Sequence, residues 1–365
     1  MGEASEIQLQ IVVEEGKFEP TNESISLSTT ITPQRTYKRW LLITIYTFFS
    51  LSGSSMAVLL GRLYYDKGGN SKWLATLVQV AGFPILIPLY YLSSCKSANS
   101  NITTNPPSVL VLSGMYSGLG LLLAADCLLY SVGLLYLPLS TYSLICASQL
   151  AFNALFSFFL NSQKFTPFII NSLVLLTISS TLLIFQNGSS QVSKGKYVIG
   201  FVCTVAASAG YGLLLSLTQV CLEKILKKQT FKVVLDMAIR PSLVATLVIL
   251  VGLFGSGEWK TLGKEMEGFK LGKWSYVNVL VWITIGWQVC WIGVVGLILE
   301  ASSLFSNVIG MLGIPIVPVL ARLFFQDPMT GIKAISMLLA IWGFLSFVYH
   351  HYLDDFPLNS GTQNV

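Results

Sequence analysis

Few residues in this chain could do chemistry, and the least expected is an acid. The stretch LLLAADCLLY (121–130) holds one carboxylate, Asp126, in an otherwise hydrocarbon run. A charge near a bilayer centre costs at least about 2.5 kcal/mol on insertion scales. An acid kept at such a cost is expected to move a proton or to neutralise a cationic ligand. The plainer reading is an acid near a wet helix end. Glu300 is a second acid, at a tight junction between two apolar runs, where helix capping explains it equally well.

Carboxamides and aromatics come next. Tyr142, Cys146, Gln149 and Asn153 follow one another at spacings of four, three and four, which puts them on one helical stripe. Ser303, Asn307 and Gly310 form a comparable stripe. Trp287 and Trp291 lie one turn apart with Gln288 beside the first, and Tyr211 follows a small-residue patch, AASAGYG (206–212). Lipid rejects carboxamides, so these stripes face either a cavity or another helix, where Asn and Gln act as hydrogen-bonding glue. The expected substrate-binding set is Gln149, Asn153, Tyr142, Trp287, Gln288, Trp291, Asn307 and Tyr211, with Asp126 and Glu300 as proton-coupling candidates. Aromatic faces with paired donors and acceptors suit a flat, neutral or weakly basic heterocycle. No midspan cluster of Lys or Arg is present for a phosphorylated cargo, Arg240 and Arg322 being the nearest.

An enzyme is not expected. The two histidines, His350 and His351, are adjacent, and the six cysteines are scattered through apolar runs. Neither a metal set nor a nucleophile–base pair follows from that. No metal, no cofactor and no nucleic-acid partner is expected; the partners are a small heterocyclic substrate, a proton as coupling ion and the lipid bilayer.

The elements that must position these residues are membrane helices. Of 365 residues, 53% are hydrophobic and 11% are charged, where a soluble domain carries about a quarter charged. Ten runs have the roughly 20-residue length of a span: 40–62, 72–93, 109–133, 137–160, 166–186, 196–221, 233–255, 275–298, 301–324 and 332–352. Residues 1–39, acidic, then Ser/Thr-rich, then basic, read as a disordered cytosolic tail with no cleaved leader, and 353–365 as a short C-terminal tail. LPLSTYSLICASQLAF (137–152) and LEASSLFSNVIGMLGI (299–314) begin corresponding spans of two halves, 40–186 and 196–352. Five helices per half give opposite orientations, the inverted-repeat plan of secondary transporters with a midplane site. Pro138 is placed to start the fourth span. SLSGSS (50–55) in span one, Pro84 and Pro88 in span two, and Pro315 and Pro318 in span nine are expected to be locally irregular.

Orientation is less legible. Basic residues distribute almost evenly between the two sides. The dense run EKILKKQTFK (223–232) and the basic edge before span one favour an inside amino terminus, against the lysines of 257–274. Of the sequons at Asn22, Asn101 and Asn187, only Asn187 then faces outward.

Three segments resemble the plant purine permease family, within the drug/metabolite transporter superfamily. They are YLPLSTYSLICASQLAFNALFSFFLNSQKFTPFIINSLVLLTISS (136–180), WQVCWIGVVGLILEASSLFSNVIGMLGIPIVPVLA (287–321) and FFQDPMTGIKAISMLLAIWGF (324–344). The resemblance covers about residues 40–352. It implies an all-α, ten-helix, inverted-repeat membrane protein with cytosolic termini. It implies uptake of adenine, cytokinins or related heterocycles, usually with a proton and often at the plasma membrane. Similar sequences carry alkaloids or vitamin-like heterocycles, so another cargo, an exporter or an organellar carrier is the alternative.

Overall fold

The computed structural model describes residues 33–97, 108–137, 145–146, 148–163, 166–184, 194–227, 230–313 and 331–355. The elements among these residues are all helical. In chain order they are α1 (Pro33–Asp66), α2 (Lys72–Val80), α3 (Ile87–Ser97), α4 (Val109–Tyr136), α5 (Gln149–Asn161) and α6 (Pro167–Ile184). They continue with α7 (Lys194–Val220), α8 (Phe231–Ser256), α9 (Leu262–Glu267), α10 (Lys273–Glu300), α11 (Ser303–Gly313) and α12 (Gly331–Asp355).

Among the described residues six stretches are long and apolar enough to cross a membrane: Tyr37–Tyr65, Lys72–Ser93, Val109–Gly133, Gly195–Leu226, Phe231–Ser256 and Lys273–Glu300. They correspond to expected spans one, two, three, six, seven and eight. Spans four, five, nine and ten contain α5, α6, α11 and α12. The tail before residue 33, Pro138, Tyr142, Pro315, Pro318 and all three sequons lie outside the described residues.

The boundaries have local causes. Ser108 caps α4, its hydroxyl accepting from Val111 N at 3.3 Å. Gly257, at φ +74°, ends α8 in the left-handed conformation that glycine adopts without strain. Span two is broken as expected: Gly82 and a short 3₁₀ turn, Phe83–Leu86, separate α2 from α3. Span one contradicts the expectation of irregularity, because α1 runs unbroken through 50–55. The Ser52 hydroxyl donates back to Phe48 O at 2.6 Å and Ser54 to Leu51 O at 3.2 Å. The small residues there serve contact instead: a Cβ on Gly53 would sit 2.6 Å from Cys290 N and Gly286 O. Backbones of α1 and α10 therefore meet directly, a small-residue interface of the kind membranes favour.

Packing places α4 between α7 and α8, α1 along α10, and α6 along α12, with α5 against α7. Among the described residues the interior holds a large apolar cluster that includes Leu150, Leu215, Val234, Leu297 and Phe305, and a smaller one around Tyr64, Val78, Phe269 and Tyr276. The outside is apolar too, with Val109, Leu110, Phe159, Val251 and Leu338 each more than two-thirds exposed, as a lipid-facing surface requires.

Candidate functional site

Asp126 lies in the second half of α4 and is 3% exposed. The reading of a water-exposed acid at a helix end therefore fails. Its Oδ1 meets no hydrogen-bond partner among the described residues. Gly210 of α7 stands opposite: a Cβ there would come within 2.9 Å of that oxygen. Tyr130 follows one turn on along α4, and Tyr211 is the chain neighbour of Gly210 on α7.

Tyr130 ties this acid to the carboxamides. Its hydroxyl donates to Gln149 Oε1 at 3.0 Å. Gln149 Nε2 donates in turn to Asn307 Oδ1 at 3.0 Å, and Asn307 Nδ2 to the Gln149 carbonyl at 3.4 Å. Asp126, Tyr130, Tyr211, Gln149 and Asn307 thus make one polar zone where α4, α5, α7 and α11 converge. Tyr130 was not expected from the sequence, although its spacing of four from Asp126 was available as a signal.

Asn153 is bound more completely. It is fully buried, donates to Ser303 O at 3.1 Å, and accepts from Ser216 at 3.0 Å and Ser157 at 3.3 Å. Ser157 also meets Ser303 Oγ at 3.0 Å. The seam joins α5, α7 and α11.

On α10, Gln288 is 1% exposed, and neither its Nε2 nor its Oε1 finds a partner among the described residues. Its side chain lies over Gly82, at the break between α2 and α3: a Cβ at Gly82 would come within 3.1 Å of Gln288 Cδ. A buried amide left open on both sides is costly in a closed core. Trp287 and Trp291 are half-buried. Trp291 borders a cavity of about 20 Å³ between α4, α7 and α8, together with Leu119, Thr218 and Pro241. That volume holds one water. Trp274 and Trp282, by contrast, are exposed.

Polar contacts tie helices together at both ends of the bundle. At one end Gln219 accepts from Asn161 at 3.1 Å and from Ser303 N at 2.8 Å, and donates to Glu223 at 2.8 Å. Glu223 sits in a π-helical turn, Cys221–Leu226. Arg39 donates to the Glu300 carbonyl at 2.7 Å, a cation at a helix C-terminus. Glu300 therefore belongs to this end and does not join Asp126. At the other end Glu265 accepts from Tyr64, from Tyr276 at 3.1 Å and from Ser71 N at 3.1 Å. Glu258 accepts from Ser71 Oγ at 2.8 Å. Between Arg39 and Tyr64, α1 advances about 38 Å, more than the hydrocarbon thickness. Among the described residues no group of His, Cys, Asp and Glu could hold a metal ion.

Residues 41–356 match a family model described as purine nucleobase transmembrane transport. The chain is similar to "Probable purine permease 10" of Arabidopsis thaliana, 59% identical over 360 residues, covering 95% of this chain and 92% of that protein. It is likewise similar to "Purine permease 21" of Arabidopsis thaliana, 57% identical over 365 residues, with 98% and 94% covered. A solved crystal structure, 14% identical, superposes with a TM-score of 0.52 over 83% of this chain and 96% of its own.

Proposed function

The chain belongs to the purine nucleobase transmembrane transport family, whose members are transporters and not enzymes, and we propose that it imports purine bases, cytokinins or similar flat heterocycles together with a proton. It is a multi-pass integral membrane protein. Adenine is the reference cargo, alternating access the mode and the plasma membrane the site of action in this reading.

The observation that carries it is the Tyr130–Gln149–Asn307 chain beside the unpartnered Asp126 oxygen. Purine edges alternate donors and acceptors, as carboxamides do. A base entering this zone exchanges the amide–amide bond for bonds to itself, with the rings of Tyr211 and Trp291 as stacking faces. Trp287 and Gln288 line the approach from α10. Asp126 carries the proton: its buried Oδ1 finds no hydrogen bond among the described residues, so it is expected to protonate before the zone closes and release when water returns.

We further propose that the fold is ten helices in two inverted halves, 40–186 and 196–352. The pattern of neighbours supports this. Exchanging the halves sends α1 to α7 and α4 to α10, so the α1–α10 pair maps onto α7–α4; both pairs are packed. The same exchange sends α4–α8 to α10–α2, also packed, and α6–α12 onto itself.

Uptake of radiolabelled adenine and trans-zeatin into proteoliposomes, with and without an inward proton gradient, tests the function. The gradient is expected to drive accumulation. Uptake indifferent to the gradient would remove the proton, and no uptake of either cargo by folded protein would favour the alternative of an alkaloid or vitamin-like heterocycle.

A further inference from the structure

Resting on the uptake of flat heterocycles inferred above, we propose that Gln288 selects the cargo by its amino group. Its carboxamide accepts from an exocyclic N–H of the ring and donates to the ring nitrogen beside it. Gln288 lies near the middle of α10 and is 1% exposed. Both its Nε2 and its Oε1 are without a partner among the described residues. At that depth neither bulk water nor a lipid headgroup supplies one. Thr284, one turn earlier on the same helix, is already bonded, donating to Leu280 O at 2.9 Å. The place of this amide is nevertheless specified. A Cβ on Gly82 would come within 2.4 Å of Gln288 Cγ and 2.6 Å of Thr284 Cγ2. Only glycine at the break between α2 and α3 lets the glutamine lie there.

The amide also shares a level with Asp126. Trp73 packs at Gly252 and Tyr90 at Lys232, so α2 and α3 run against α8. Tyr116 meets Arg240 and Gly120 meets Val244, so α4 runs with α8. The broken span and α4 are therefore antiparallel, and they touch where Thr76 meets Ser131 at 2.7 Å. Gly82 follows Thr76 by about 9 Å along the axis, and Asp126 precedes Ser131 by about 8 Å in the same direction. Gln288, lying over Gly82, and the open Asp126 oxygen thus stand at nearly one depth. Each faces a glycine, Gly82 or Gly210, where a side chain would fill the space. A carboxamide holds its acceptor and donors in one plane. It therefore pairs with an amino group and the adjoining ring nitrogen together, as glutamine does with adenine in nucleic-acid readout. The cavity of about 20 Å³ beside Trp291 is too small for a base, so the ring enters when the helices part.

The test uses the purified full chain in detergent, with radiolabelled adenine displaced by unlabelled adenine or by purine, which lacks the 6-amino group. The wild type is expected to bind adenine roughly 5- to 150-fold more tightly than purine, the range of a bidentate amide contact. Q288M keeps the length of the side chain and removes the amide. It should bind adenine about as weakly as purine and leave purine unchanged. Its thermal midpoint should stay level or rise, because the amide it removes has no partner in the closed core. A structural amide behaves in the opposite way: Q288M then unfolds earlier, or fails to fold, with the preference for adenine kept, and either result overturns the proposal. G82A keeps the amide but displaces it and should lose the same preference; an intact preference in G82A counts equally against the proposal. Q79M removes an amide already bonded to Ala75 O and should keep the preference. If the wild type binds adenine and purine alike, Gln288 as selector falls alone. If it binds neither these nor trans-zeatin, the reading of the cargo falls and takes the selector with it.

Discussion

Gln149 and Asn153 stand one turn apart on α5, and their surroundings predict different outcomes for the same substitution. Gln149 is half-buried and bonded to two side chains that can turn with it. A bidentate carboxamide contact to a base edge is worth about 1–3 kcal/mol, so Gln149→Ala should weaken substrate binding roughly 5- to 150-fold and leave the fold intact, as read by a direct binding assay. Asn153→Ala strands Ser216, Ser157 and the Ser303 carbonyl. Unsatisfied buried groups cost about 1–3 kcal/mol, so its thermal midpoint should fall while surviving protein binds normally. If both variants bind normally, the whole stripe is glue. Asp126→Asn keeps size and removes titration. It should still exchange substrate across the membrane, lose accumulation against a gradient, and transport with little dependence on pH. Glu300→Gln is the comparison: its carbonyl contact to Arg39 is backbone, so coupling should survive. Uncoupling by Glu300→Gln with pH-dependent Asp126→Asn would transfer the proton to Glu300.

Among the elements, the α1–α10 contact decides how closely two membrane helices approach. Gly53 packs on the backbone of α10, which cannot move aside as a flexible side chain would. Gly53→Ala should cost about 1–3 kcal/mol through overpacking. Gly61, on the same helix, meets nothing within 4 Å. Gly61→Ala should be neutral or add about 0.5–1 kcal/mol, because alanine loses less backbone entropy in a helix. Unfolding midpoints measured side by side check the opposite signs. A Gly53→Ala variant as stable as the wild type would mean that the two backbones are not in contact in the membrane. SLSGSS thus misled in one respect: small hydroxyl residues suggested a break, whereas their hydroxyls bond back to the helix and their smallness admits a neighbour.

Across the whole molecule, hydrogen-bonded contacts at opposite ends of α1 lie on either side of the polar zone. Which end faces the cytosol follows from the amino terminus. We expect it inside, with the Arg39 and Glu223 contacts on the cytosolic side. Full-length chains retaining one sequon at a time test this: glycan on Asn187 and none on Asn101 is expected, and the reverse pattern would invert the molecule.

Hydropathy by itself determined that this chain lives in a bilayer, because 11% charged residues cannot cover a soluble surface of this size. The break near Pro84 and Pro88 was legible for a similarly local reason, proline chemistry. The shared face of Gln149 and Asn153 was legible because helical periodicity is a property of the chain. Which residues from other spans complete the site was not. Asn307 meets Gln149 across 158 positions, Gly210 faces Asp126 from another helix, and Gln219 crosses to Ser303. No periodicity within one helix encodes which face a partner helix presents. That choice depends on how closely backbones can approach and on which buried polar groups find each other, and only the packed tertiary structure decides it.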